Sequence, residues 1–373
     1  MLSAVTADVQ EAILGEDPTE GALRTVGLSV LLLVGTILCV LVAPGFALPV
    51  LAAFVAASAY GWTTHQAEMA RLLTLVATVL TVLTVTFITV YLFLSAAPAF
   101  AAHGLDLLTI PIVNGEPQWF LWLDFLLPAA DSIWNPRAGV YSLVPLIWAT
   151  IIVTTIAGLI AGPLGVMGAL FISEVASDRL REIIKPGIEI LAGIPSIVFG
   201  FIGFIVLNGF IQKSFLDDGA SYLIAGLVVG VMALPTVVSV AEDALASVPN
   251  SMSDGAAAMG ATRWQTMKSI SVPAASSGIS AAIILGLGRA IGETMAVAAI
   301  LGAVVQPTVP LFDMFDASST LTSAIAHNYG SASASTVDVL FVAGVLLFVI
   351  VAGMSVVSQY IERRISEQMQ GQQ

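Results

Sequence analysis

The chain has 373 residues, of which 58% are hydrophobic and 10% are charged, with a formal net charge of −13. A soluble domain usually carries about a quarter charged residues, and several apolar runs here exceed the ~18 residues that cross a bilayer as a helix. Composition therefore argues against a water-soluble helical protein, and the acidic balance argues against nucleic acid as a partner.

Five acids, Asp8, Glu11, Glu16, Asp17 and Glu20, precede the first apolar run. They read as a solvated acidic tail. A cleavable signal peptide does not fit, because the first apolar run is long and follows acidic rather than basic residues. Scarce lysine (Lys185, Lys213, Lys268) beside many carboxylates is the composition of a halophile's protein. Eight membrane spans are predicted, at about 25–43, 45–62, 71–96, 142–172, 187–211, 222–241, 275–304 and 336–358. The first ends at Pro44, and the second pairs with it as a helical hairpin. A polar stretch rich in Pro and Trp, about 97–141, separates the third and fourth. Cys39, the sole cysteine, lies in an apolar run as a small core residue. His65, His103 and His327 match no metal-ligand spacing.

Basic residues orient the spans. With the amino terminus inside, Arg24, Arg71, Arg179, Arg181, Lys185, Arg263, Lys268, Arg363 and Arg364 fall on the cytoplasmic side, and Arg137 and Lys213 outside. Both termini are then cytoplasmic, in a multi-pass protein of the cell membrane surrounded by lipid.

The loop at about 242–274 is too long to be a bare connection. Ser251 or Ser253 is placed to cap a short helix running through Ala256 to Met259. Gly260 suits the left-handed residue that ends it. Thr262 caps a second short helix, 263–270, and Pro273 stops it. The alanines 256–258 leave little side-chain bulk, so another backbone can pack close.

This loop resembles the EAA loop of ABC importer permeases. Asp254, Gly255 and Ala256 stand where that family has Glu-Ala-Ala, Gly260 matches its glycine and Pro273 its closing proline. Asp254 shortens the carboxylate, and Gly255 lowers helix propensity by about 1 kcal/mol. The runs EILAGIPSIVFGFIGF (189–204) and LGLGRAIGETMAVAAILGA (285–303) are similar to phosphate permeases of the Pst system. The GETMAV run (292–297) and the Trp134–Pro136 motif resemble the PstC-type subunit. The resemblance implies an all-α integral membrane protein with a type I ABC importer transmembrane domain. Residues 69–366 would form that domain with six spans, and 1–68 an acidic tail with two extra spans. It implies a PstA-type permease, a dimer of PstB-type ATP-binding subunits and a PstS-type extracytoplasmic phosphate-binding protein as partners. In that family the first loop helix docks in a groove of the ATP-binding subunit and passes on its motion.

Ionisable groups inside a bilayer are functional candidates. Arg289 and Glu293 lie in the seventh predicted span at i,i+4 spacing, which puts both on one helical face. An arginine fork donates two parallel bonds to a phosphate oxyanion and stays charged, and Glu293 would hold it between transport events. Gly288 and Gly292 form a G-x-x-x-G step for close helix approach, as do Gly158/Gly162 and Gly226/Gly230. Pro195 and Pro235 interrupt the fifth and sixth spans as hinges or kinks. Ser196 and Thr236, just after those prolines, offer neutral donors to the pathway. Glu189 sits at the cytoplasmic interface.

The sequence has no G-x-x-x-x-G-K-[ST] and no H-E-x-x-H. ATP and magnesium would therefore be bound by the partner ATPase, and the chain itself is not an enzyme. Sulfate or molybdate would suit the same arginine, and an independent ion-coupled carrier would need inverted halves that the sequence does not show. An intramembrane enzyme would need a convergent set of catalytic side chains, which the spans lack.

Overall fold

The computed structural model describes residues 19–113, 116–117, 129–130, 133–210, 220–308 and 312–370. Asp8, Glu11, Glu16, Asp17 and Lys213, with much of the stretch between the third and fourth predicted spans, lie outside the described residues. The chain divides into two compact units, up to Tyr91 and from Leu92 onwards.

In the first unit, α1 (Glu20–Val42) is capped by the Thr19 hydroxyl, which accepts from the Ala22 N–H at 3.3 Å. It ends two residues before Pro44, which opens a single 3-10 turn into α2 (Ala47–Thr64). The two helices pack as the expected hairpin. Helix α3 (Gln66–His103) runs well past the predicted 71–96, with Pro98 inside it, and passes into the second unit.

The second unit is built on α4 (Val144–Leu170), α7 (Tyr222–Ala246) and α10 (Ser276–Gly292). Small residues set their spacing. A Cβ added at Gly226 would stand 2.5 Å from Cβ of Ile156, and one at Gly230 would stand 3.0 Å from that of Ile160. The Gly226/Gly230 step therefore brings α7 onto α4 as its spacing predicts. Gly158 lies against Leu287 and Gly286 against Val237, which seats α10 in the groove between the other two. Gly162 is in looser contact with Ile283. One apolar cluster around Val153, Tyr222, Val229 and Ile300 fills one end of this bundle, and another around Ala161, Val237, Ala241 and Ile279 fills the other.

The polar stretch contains short strands, β1 (Ile110–Val113) between β2 (Glu116–Pro117) and β3 (Ala129–Ala130), and a hairpin of β4 (Trp134–Asn135) with β5 (Val140–Tyr141). The Trp134 and Tyr141 rings meet edge to face at 5.5 Å, and Tyr141 Oη shares a 2.8 Å hydrogen bond with Thr336 Oγ1 of α13 (Ala334–Gln370).

Six described helices are long and apolar enough to cross a membrane. The fifth and seventh predicted spans are not single helices. The fifth is α5 (Asp178–Gly193) followed by α6 (Ser196–Ile202), with an 88° bend between the two limbs. The seventh region holds a 71° bend between Arg263–Ala274 and α10, and a second break after Gly292. The count reaches eight only if each bent pair is one span. Apolar length is visible in sequence, whereas a bend at two residues hardly alters the hydropathy average.

Candidate functional site: two broken helices and an elbow

Helix α10 ends at Gly292, and α11 (Met295–Leu301) begins three residues later. Glu293 has φ −68° and ψ 124°, an extended conformation between the two helices. Arg289 and Glu293 therefore do not share a helical face, and no ion pair joins them among the described residues. The i,i+4 reading assumed a continuous helix, and the break removes its premise. Glu293 Oε1 instead accepts from the Ala296 N–H at 3.2 Å, satisfying one of the free donors that open α11.

The carbonyl of Glu293 accepts from Thr322 Oγ1 at 2.9 Å, in α12 (Leu321–Asn328). That helix is fixed by Thr320, whose hydroxyl takes part in a capping box with Ser323, and by Thr150 Oγ1 of α4, which accepts from the Leu321 N–H at 3.0 Å. Ser318, Ser319, Thr320, Thr322 and Ser323 are all buried; Ser318, Ser319 and Thr322 donate to the distant carbonyls of Val304, Gly302 and Glu293, while Thr320 and Ser323 bond each other across the cap. This hydroxyl run anchors the break at Glu293. Its crowding of Ser and Thr between two apolar segments is the signal in sequence that marks it.

Arg289 is exposed and has no hydrogen-bond or ion-pair partner among the described residues. Gly288 and Gly292 meet nothing within 4 Å of an added Cβ among the described residues, so their G-x-x-x-G step makes no helix contact there. With Ala281 and Leu285 they leave an open stripe along α10 on which Arg289 is the sole charge.

Pro195 caps the start of α6 at the 88° bend, as its position predicts. Pro235 does not interrupt its span. Helix α7 runs from Tyr222 to Ala246 through it, and Pro235 is buried. Ser196 and Thr236 are half-buried, and neither side chain has a hydrogen-bond partner among the described residues. Helix α6 lies on α11, because a Cβ at Gly200 would stand 2.7 Å from Cα of Ala296. Thr236 precedes Val237, which touches Gly286, one turn from Arg289. The two breaks thus adjoin through α6 and α11, while the four pathway candidates make no direct hydrogen bonds with one another.

The elbow forms largely as its sequence predicts. Helix α8 (Asn250–Ala258) ends in a left-handed Gly260, φ +82°. The Gly260 N–H donates to Ala257 O at 2.9 Å and the Ala261 N–H to Ala256 O at 3.1 Å, the paired bonds of a glycine-terminated helix. Thr262 caps α9 (Arg263–Thr266) in a reciprocal box with Gln265. Three details differ. Helix α8 starts at Asn250 after Pro249, so Ser251 and Ser253 lie inside it rather than capping it. Ala256 is buried against its own chain, and only Ala257 and Ala258 face out. Pro273 sits within the last helical turn, and the bend follows at Ala275. Asp254, Gly255, Met252, Met259 and Trp264 are exposed, Met259 by 84%.

Two basic residues not singled out for function hold α5. Arg181 donates to Ile172 O (2.8 and 3.1 Å) and to Ser173 O (2.9 Å), capping the π turn that ends the fourth span. Lys185 Nζ lies 2.8 Å from Oε2 of Glu242, a carboxylate only 9% exposed near the end of α7.

Residues 161–367, more than half of the chain, match the model of the family described as "Binding-protein-dependent transport system inner membrane component". The chain is 42% identical over 210 residues to a probable ABC transporter permease protein, YqgH, of Bacillus subtilis, covering 55% of this chain and 66% of that one. It is 32% identical over 295 residues to the phosphate transport system permease protein PstC of Xylella fastidiosa, covering 74% and 90%. Among solved structures it resembles a chain of the bacterial alginate ABC transporter in complex with an alginate-bound periplasmic protein, with a TM-score of 0.51 and 18% identity over 82% of this chain and 97% of that one, a likeness of fold. The chain belongs to the family of inner-membrane components of binding-protein-dependent transport systems.

Proposed function

We propose that this chain is a PstC-type permease subunit of an ATP-driven importer of inorganic phosphate. The observation that carries the reading is Arg289, an exposed and unpaired arginine at the end of a broken helix, in a chain similar to permeases named for phosphate transport. A guanidinium binds tetrahedral oxyanions through paired N–H donors, and helix breaks suit the backbone to a polar pathway. Residues 69–366 would be the permease domain and 1–68 an additional membrane hairpin with an acidic tail. Ser196 and Thr236, free of internal partners, would offer hydroxyls beside the path, and Glu293 would hold the break open as the cap of α11.

A PstA-type permease would supply the other wall of the pathway. A PstB-type ATPase dimer would bind ATP and magnesium and dock on the elbow through Asp254, Gly255, Ala257 and Ala258, with Gly260 fixing the angle. A PstS-type protein would deliver phosphate from outside. The chain would lie in the cell membrane with both termini in the cytoplasm.

The test is phosphate uptake into proteoliposomes carrying the chain with those partners, with sulfate and molybdate as competitors. ATP-dependent uptake that sulfate leaves unchanged and Arg289→Ala abolishes, with the complex still assembled, is expected. ATP hydrolysis without phosphate uptake in the intact complex would overturn the substrate. Loss of assembly in Arg289→Ala would make the arginine structural.

A further inference from the structure

Helix α5 is held in an unusual way. None of its residues is buried. Its apolar Leu180, Ile183 and Ile190 are exposed and Ile184, Ile188 and Leu191 only half-buried, so apolar packing holds it lightly. Two polar contacts add to that hold. Arg181 clasps the end of the fourth span through the Ile172 and Ser173 carbonyls. Lys185 reaches Glu242 of α7 at 2.8 Å. Beside that pair lies a cleft of about 230 Å³, lined by Ile188, Glu189, Val238, Ser239 and Asp243 among others.

The positions of the two partners in the chain give the pair its meaning. Glu242 is four residues from the end of α7, and α8 of the elbow begins at Asn250. Lys185 lies in the helix that turns by 88° at Pro195 into α6. Helix α6 in turn rests on the backbone of Ala296, next to the break at Glu293. A displacement of the elbow reaches α7 through the chain itself. It reaches α5 directly where Glu242 grips Lys185, and indirectly through α4 and the Arg181 clasp. Glu242 is almost fully enclosed, so its carboxylate depends on the lysine and the two tend to move together.

We propose that the Lys185–Glu242 pair is the joint that carries motion of the elbow loop to the broken α5–α6 span, making both positioning residues for transport. The inference rests on the importer reading above. A sequence of adjacent contacts is not itself a measurement of coupling, and a double-mutant cycle supplies one.

The complete complex is reconstituted with wild-type chain, Lys185→Met, Glu242→Gln and the exchange Lys185→Glu/Glu242→Lys. Phosphate uptake, ATP hydrolysis and assembly are measured on each. Single substitutions are expected to lower phosphate moved per ATP by roughly tenfold while hydrolysis continues, and the exchange to recover most of that loss. A merely structural pair would change complex yield and leave the ratio alone. Assembled single variants with the wild-type ratio overturn the proposal. So does a lowered ratio that the exchange fails to restore, and so does loss of assembly in both single variants, which would make the pair a brace. Failure of the importer reading is distinct, since the wild-type complex would then move no phosphate.

Discussion

Glu293 shows how much one residue's role depends on the backbone beneath it. On a continuous helix its carboxylate would neutralise Arg289, whereas at the break it accepts from the Ala296 N–H and its carbonyl accepts from Thr322. These roles separate by substitution. Glu293→Gln keeps an acceptor oxygen and loses the charge, and Glu293→Ala loses both. Stability of the purified complex should fall by about 1 kcal/mol in the alanine variant, the usual cost of a lost cap, and hardly change in the glutamine variant. Uptake by Glu293→Gln close to wild type would show that the charge plays no part in the path. Arg289 was legible in sequence as an arginine in an apolar run. Its freedom from Glu293 was not, because side-chain spacing carries no record of where a helix stops.

At the scale of elements, the elbow was legible almost residue by residue, because caps and a left-handed glycine are local chemistry. The Thr262–Gln265 box and the φ of +82° at Gly260 follow from side chains within four positions of each other. Proline fixes φ near −65°, so Gly260→Pro should uncouple ATP hydrolysis from uptake or prevent the ATPase from binding, read by co-purification and by the hydrolysis-to-uptake ratio. Normal coupled uptake would count against the elbow as the docking element. The contact between α6 and α11 was not legible. Gly200 gives no sign in sequence of its partner at Ala296, nearly a hundred residues away, because that approach depends on both helices being broken. Gly200→Val should push the helices apart at a cost of roughly 1–3 kcal/mol. A lowered unfolding temperature of the complex with Gly209→Ala unaffected would confirm the site, since no described residue lies within 4 Å of a Cβ at Gly209.

For the whole molecule, hydropathy gave membrane class and most span positions, because a bilayer rewards length and apolarity. It missed the two breaks, which depend on which partners surround a bent backbone. The stripe on α10 that bears Arg289 is exposed in the second unit. In lipid such a charge costs about 2.5–3.5 kcal/mol on insertion scales, and a wetted or anion-bearing neighbour removes most of that cost. A copy made without its companion is thus the less stable form. Its half-life in a pulse-chase should lengthen when the second permease is co-expressed, and Arg289→Leu should narrow the difference. Cells would then have reason to match the synthesis of the two subunits, with quality control clearing whichever is in excess.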